Sequence, residues 1–206
     1  MAGEAGGRSS KSKRERRSIV KLIAGLGNPD KKYLGTRHNA GFMAVESLAG
    51  EKGVDFSRHK KLKSMAARLE QAGEPVILLK PQTYMNRSGE AVAAAQRFFD
   101  IHPADTLIVY DDAALNFAAL RARRGGESAG HNGIKSVIAH CGDGFNRLRL
   151  GIANAHLEKQ PAEKFVLSRF ADEEKDKLPE ILQAATQFME TFIEGEDFPA
   201  DTYRVE

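Results

Sequence analysis

The sequence predicts an α/β fold: a single domain built on a mixed, twisted β-sheet with helices on both faces. Three observations carry this expectation. Short apolar runs rich in β-branched residues alternate with segments of helical periodicity, the pattern of strands and crossover helices. One pair of runs is joined by a turn too short for a crossover, so the sheet cannot be purely parallel. The chain has 206 residues and no internal repeat, enough for one sizeable core.

The elements follow in order. Residues 19–26 form an apolar run that stops at glycine and read as a buried strand, turned by Asn28-Pro29-Asp30. In residues 39–51, Phe42, Val45 and Leu48 recur every three positions, which predicts an amphipathic helix. Residues 64–69 and 75–80 flank Ala72-Gly73-Glu74 as a hairpin. Ser88 is expected to cap an Ala-rich helix ending near Phe99. Residues 106–110 form a strand running into Asp111-Asp112, and 120–124 a partly exposed strand. A glycine-rich loop, 125–133, leads into a helix over 134–140, and 147–152 return as a strand. Asp172 is expected to cap a last helix reaching about Phe192, with Leu178, Ile181, Leu182, Ala185 and Phe188 on one face.

Charge divides the chain. Residues 1–17 carry Arg8, Lys11, Lys13, Arg14, Arg16 and Arg17 against Glu4 and Glu15, so this segment is +4 and residues 18–206 are −1. The segment reads as a disordered basic tail that could add weak, salt-sensitive affinity for nucleic acid, or serve only as a solvated extension. Its two glutamates argue against a transit peptide, and no apolar stretch suits a secretory signal or a membrane span. The single cysteine, Cys141, excludes an internal disulfide and a multi-cysteine zinc site, and it looks like a small buried hydrophobe. A reducing cytoplasm fits this composition.

Polar residues gather where strands end, the place where open α/β sheets bind ligands. The first segment is Gly25-Leu26-Gly27-Asn28-Pro29, then Tyr33 and Thr36-Arg37-His38-Asn39-Ala40-Gly41. A dinucleotide fingerprint would need glycine at Asp30 and a free helix start at Pro29, which argues against a nucleotide loop there. The second is Lys80-Pro81-Gln82-Thr83-Tyr84-Met85-Asn86. The third joins Asp111 to Gly130-His131-Asn132-Gly133. A carboxylate at a strand end can orient a histidine for general base work. In isolation each has a plainer reading: His38 a helix cap, Asn86 a turn residue, Met85 core, Asp111 a turn cap. His131, His140 and Cys141 lack metal-ligand spacing, and no serine sits in a nucleophile elbow.

Four strings in this order and spacing, GLGNP, TRHNAG, LLKPQTYMNRSG and GHNGIKS, resemble the bacterial peptidyl-tRNA hydrolase family over residues 18–195. The resemblance implies an esterase that cleaves the bond between peptide and tRNA and recycles tRNA from aborted translation. It implies His38 as general base and Asp111 as the group that orients it. Asn28, Asn86 and Asn132 are implied to hold the 3′-terminal adenosine and peptide end and to place the attacking water, with Tyr33 and Met85 among the substrate contacts. Arg123 and Arg149 fall at positions implied to grip tRNA phosphate. No metal or organic cofactor is implied; the partner is peptidyl-tRNA, not a membrane, and the protein is expected to be a monomer.

The chain departs from the family pattern at Ala114, Asn116 and Ala118, where an acidic residue, a proline and a glycine are usual, and at Asp30, where glycine is usual. That leaves a second reading, a non-catalytic RNA-binding protein of the same fold, like the plant organelle splicing factors related to the family. A third, a nucleotide-dependent oxidoreductase, has only Gly25-x-Gly27 behind it.

Overall fold

The computed structural model of the protein describes residues 19–71, 73–199 and 201–206, so the basic tail predicted at 1–17 lies outside the described residues. Eight strands form one sheet in the order β2-β3-β4-β1-β5-β7-β6-β8. They are β1 (Lys21–Gly25), β2 (Ser57–His59), β3 (Ser64–Gln71), β4 (Glu74–Pro81), β5 (Thr106–Asn116), β6 (Ala119–Arg124), β7 (Asn146–Ala153) and β8 (Tyr203–Arg204). The centre, β4-β1-β5-β7, is parallel, and β2, β3, β6 and β8 add antiparallel margins. The mixed sheet thus follows the predicted plan.

Strand alternation sorts the core onto the two faces. Ile23, Leu78 and Val109 meet α1 (Ala40–Glu51) and α5 (Asp172–Glu194), through Val45, Leu48, Phe188 and Met189. Leu22, Leu79 and Ile108 meet α2 (Ser88–Phe99) and α3 (Asn132–Cys141), through Val92, Ile134 and Val137. Each such buried aliphatic or aromatic side chain contributes about 1.5–3 kcal/mol over exposure. Cys141 is half-buried against this second cluster, and burial pushes its thiol up to about 11.

Several local expectations change. Ser88 does not cap α2; it is the first helical residue, and its hydroxyl donates back to the Met85 carbonyl at 2.9 Å. Asp172 does not cap α5 either: Ala171 holds the cap position, and Glu174 reaches back to accept from its N–H at 2.7 Å. Helix α3 starts two residues before the predicted onset, at Asn132, because the His131 imidazole supplies a cap no glycine-rich loop would suggest. Strand β5 continues past Asp112 to Asn116, pairing with β7 across an irregularity. The short β2, β8 and a helix α4 (Ala162–Val166) carry too few residues for a periodic signal.

The topology positions the site. From β1 the chain leaves toward β4, then returns across β1 to β5, so the C-terminal ends of β4, β1 and β5 border a switch point. Helix α1 must pack tightly there, and glycine allows it. A Cβ on Gly41 would fall 2.3 Å from the Val109 carbonyl oxygen, and one on Gly25 would fall 2.1 Å from that of Gly41. This contact sets the residues before α1 against the end of β5.

Candidate active site

His38 lies on a 3-10 turn, Arg37–Asn39, leading into α1. Its Nδ1 lies 2.9 and 3.0 Å from the two carboxylate oxygens of Asp111. The His38 side chain is 11% exposed and that of Asp111 1%. His131 approaches the same carboxylate from α3, with Nε2 at 3.1 Å from Oδ1. The tautomers follow from the other ring contacts. Nδ1 of His131 accepts from the Ile134 N–H at 3.2 Å, so the neutral ring carries its proton on Nε2 and donates it to Asp111. Asp111 receives the Nδ1 proton of His38 in the same way, and Nε2 of His38 is left as the basic nitrogen.

Burial pushes the Asp111 carboxyl up, but the charge of His38 and His131 and their hydrogen bonds outweigh it and hold the group well below the usual carboxylate range. These three side chains also place one ligand atom each within 4.8 Å of one another, a possible metal set. The donor chemistry opposes that use. A metal on Nε2 of His131 would move its proton to Nδ1, opposite the Ile134 N–H, and the α3 cap would be lost.

The turn bearing His38 is anchored from behind. Arg37 is buried and forks onto Glu174, Nη1 to Oε1 at 3.0 Å and Nη2 to Oε2 at 2.7 Å. Its guanidinium carbon lies 4.5 Å from the Phe165 ring centroid and 4.9 Å from that of Phe170. Burial raises the Glu174 carboxyl, yet its bonds from Arg37, Ala171 and Asn154 leave it lowered. Sequence reasoning set His131 beside Asp111 without counting it among the site residues, and it missed Glu174. Glu174 read as part of an acidic helix start, and its partner is 137 positions away.

A cavity of about 250 Å³ opens beside His38 and Asp111, with Asn132, Ala114, Ala129 and Val166 among its walls. Asn132, the first residue of α3, is exposed into it. Asn28 and Asn86 are not among the walls of this cavity. They flank Met85 instead. Asn28 is buried and accepts from the Met85 N–H at 2.9 Å, while its backbone exchanges two bonds with the Asn39 amide. Asn86 follows Met85 and is exposed. Met85 in turn abuts the start of α3, since a Cβ on Gly133 would fall 2.5 Å from its sulfur. Tyr84, just before, holds φ 60°, a strained conformation for a bulky residue. Tyr33 is half-buried on a 3-10 turn and is not a wall of the cavity.

Arg123 and Arg149 do come together. Direct pairing of Arg121 with Arg149 and of Arg123 with Arg147 puts all four on one face of β6 and β7. A second cavity of about 420 Å³ is lined by Arg123, Arg149, Tyr110, Asp112 and the glycine-rich loop. Their situations differ, however. Arg123 is exposed, while Arg149 Nε donates to Asp112 at 2.5 Å. Arg147, which the sequence placed only as the start of a strand, is fully buried and donates to the Gly126 and Glu127 carbonyls, which pins the loop. The atypical segment after Asp112 does not displace Asp111; Asp112 Oδ1 accepts from the Ala114 N–H at 2.7 Å and holds it in place.

The chain matches the family model described as peptidyl-tRNA hydrolase over residues 22–205. It is 46% identical over 179 residues to the peptidyl-tRNA hydrolase of Lactobacillus delbrueckii subsp. bulgaricus, covering 86% of this chain and 95% of that one. Against the Rhizobium etli enzyme of the same name it is 45% identical over 177 residues, 85% of this chain and 72% of that one. The crystal structure of peptidyl-tRNA hydrolase from Acinetobacter baumannii superposes with a TM-score of 0.79 at 36% identity, covering 86% of this chain and 90% of that one. The chain belongs to the peptidyl-tRNA hydrolase family, enzymes that hydrolyse the ester between peptide and tRNA.

Proposed function

We propose that His38 is the general base of this hydrolysis, with Asp111 fixing its tautomer and His131 holding Asp111 in place. The single observation that supports this is the two-sided grip on a buried carboxylate, His38 at 2.9 Å and His131 at 3.1 Å. Nε2 of His38 takes a proton from water as the water attacks the ester carbonyl. Asp111 stays ionised and stabilises the imidazolium that forms. The Asn132 amide, exposed in the same cavity, donates to the oxygen on which negative charge develops. Asn28 orders the Met85 turn, and Asn86 and Tyr33 contact the substrate outside the cavity. Arg123 contributes a guanidinium to a tRNA phosphate, and Arg149 does so while paired with Asp112. No cofactor enters this scheme. The protein works as a cytoplasmic monomer in this reading; no helix among the described residues is long and apolar enough to cross a membrane.

The test is hydrolysis of peptidyl-tRNA by the full chain and by His38→Ala. The proposal expects a loss of about 10²–10⁴-fold in kcat with the fold intact. Turnover within a few-fold of the unmodified enzyme would assign the base elsewhere.

A further inference from the structure

A groove at the β2 margin of the sheet is not used by the reaction. Arg58, His59, Lys60, Lys63, Tyr84 and Arg87 are among its walls, around a cavity of about 450 Å³. Five cations gather here, counting the neighbouring Lys61. Glu90 answers two of them, Lys63 at 2.8 Å and Arg87 at 2.6 Å. Asp30, at the rim, is engaged by the Tyr84 hydroxyl at 3.0 Å. Among the described residues, Arg58, Lys60 and Lys61 have no carboxylate partner, and all three are exposed. Five cations against Glu90 and Asp30 leave a local charge of +3 on a body whose sum is −1.

A lysine cluster alone is an ordinary solvated surface. This one carries an aromatic platform as well. Phe98, at the end of α2, is 51% exposed. The His59 ring meets it edge-on at 5.2 Å, and Lys61 Nζ lies 6.0 Å from its centroid. Exposed rings set among cations are the combination that holds single-stranded nucleic acid, phosphates on the charges and a base on the ring. The basic tail cannot be the occupant, because it has the same sign. The site also stands apart from Arg123: β2 and β6 are six strand spacings apart in the sheet, about 29 Å at ~4.8 Å each.

We propose that this groove is a second RNA-binding surface, which takes single-stranded RNA through Arg58, Lys60 and Lys61 and stacks one base on Phe98.

The probe is a labelled oligouridylate, titrated by anisotropy across a salt series into the full chain. Replacing Arg58, Lys60 and Lys61 together by Ala is expected to weaken binding roughly tenfold and to reduce the salt slope by about 2. Phe98→Ala is expected to weaken it by a similar factor, roughly tenfold, with the slope unchanged. Phe98→Leu, which keeps the bulk, separates loss of stacking from loss of packing. Replacing Lys175 and Lys177 on α5 by Ala changes net charge elsewhere and should leave binding intact. Unchanged affinity in both groove variants would overturn the proposal. So would an equal loss in the α5 control, which would make net charge the cause. Binding of a polyglutamate peptide without binding of oligouridylate would assign the groove to an acidic protein partner instead. None of these readouts uses turnover, so they stand apart from the test of His38.

Discussion

Asp111 and Asp112 are neighbours on β5, and strand alternation sends them into different chemistry. Asp111 is buried between two imidazoles and, among the described residues, has no Lys or Arg hydrogen-bonded to it. Asp112 pairs with Arg149 and holds the Ala114 N–H on the side that faces the β6–β7 arginines. In the proposed reaction one carboxylate controls a proton; the other holds an arginine. Both are buried, so their partners separate these roles: Asp111 faces imidazoles that can gain or lose a proton, whereas Asp112 is held by a guanidinium of fixed charge.

The sharpest way to break the comparison is to neutralise each carboxylate in turn. Asp111→Asn keeps the shape but can no longer hold His38 in one tautomer, and kcat/KM for peptidyl-tRNA should fall about 10²–10⁴-fold. Asp112→Asn should cost far less in kcat and act on KM through Arg149. Equal losses would erase the distinction. Acid stability gives a second view of Asp111. Its carboxyl is held below the unfolded value, near ~3.9, so its charge stabilises the fold above that pH and the contribution disappears as pH falls through the lower folded value. Melts of Asp111→Asn should therefore show a flatter decline below about pH 4 than the unmodified chain.

Next in size is the anchor behind His38. Glu174→Ala leaves Arg37 buried without its counter-ion and should destabilise the fold by about 3–5 kcal/mol, read by denaturant unfolding. A change under ~1 kcal/mol would mean the pair is solvated and the turn held by other contacts.

The sequence made the motifs legible because they are local: TRHNAG and its partners name His38 and the asparagines without any contact map, and Asp111 stands at the end of the 106–110 strand. What it could not supply were pairings set by the topology. His131 was legible only as a neighbour of Asp111; its double contact, Nε2 on the carboxylate and Nδ1 on the α3 cap, is set by the fold. Glu174 looked like helix dipole complement, and its long-range fork to Arg37 has no sequence period. Ser88 and Asp172 were misplaced by one position each, because Ser88 back-bonds to the preceding turn and the Glu174 carboxylate takes the α5 cap bond. The parity of Arg123 and Arg149 was readable from alternation; the commitment of Arg149 to Asp112 was not.

Smaller effects sharpen the surface half of the comparison. Arg123→Ala should raise KM for peptidyl-tRNA, lower the salt slope by about 1, and spare a short 3′-end substrate. Arg149→Ala removes the partner of Asp112 as well, so it should also disturb the Ala114 turn and touch kcat. Identical kinetics for the two variants would remove that difference. Smallest of all, Ala118 holds φ 66°, a left-handed conformation costly for any residue with a Cβ. Ala118→Gly should stabilise the chain by roughly 0.5–1 kcal/mol in thermal melts, with activity unchanged.

The central claim is that His38 and Asp111 act as one unit, and a double-mutant cycle on kcat/KM for peptidyl-tRNA tests it most directly. If Asp111 works only through His38, then His38→Ala combined with Asp111→Asn loses about as much as His38→Ala alone, because groups that act together are non-additive. Losses that simply add, so that the double variant falls by the product of the single factors, would contradict the account and show that Asp111 contributes to the reaction by a route independent of His38.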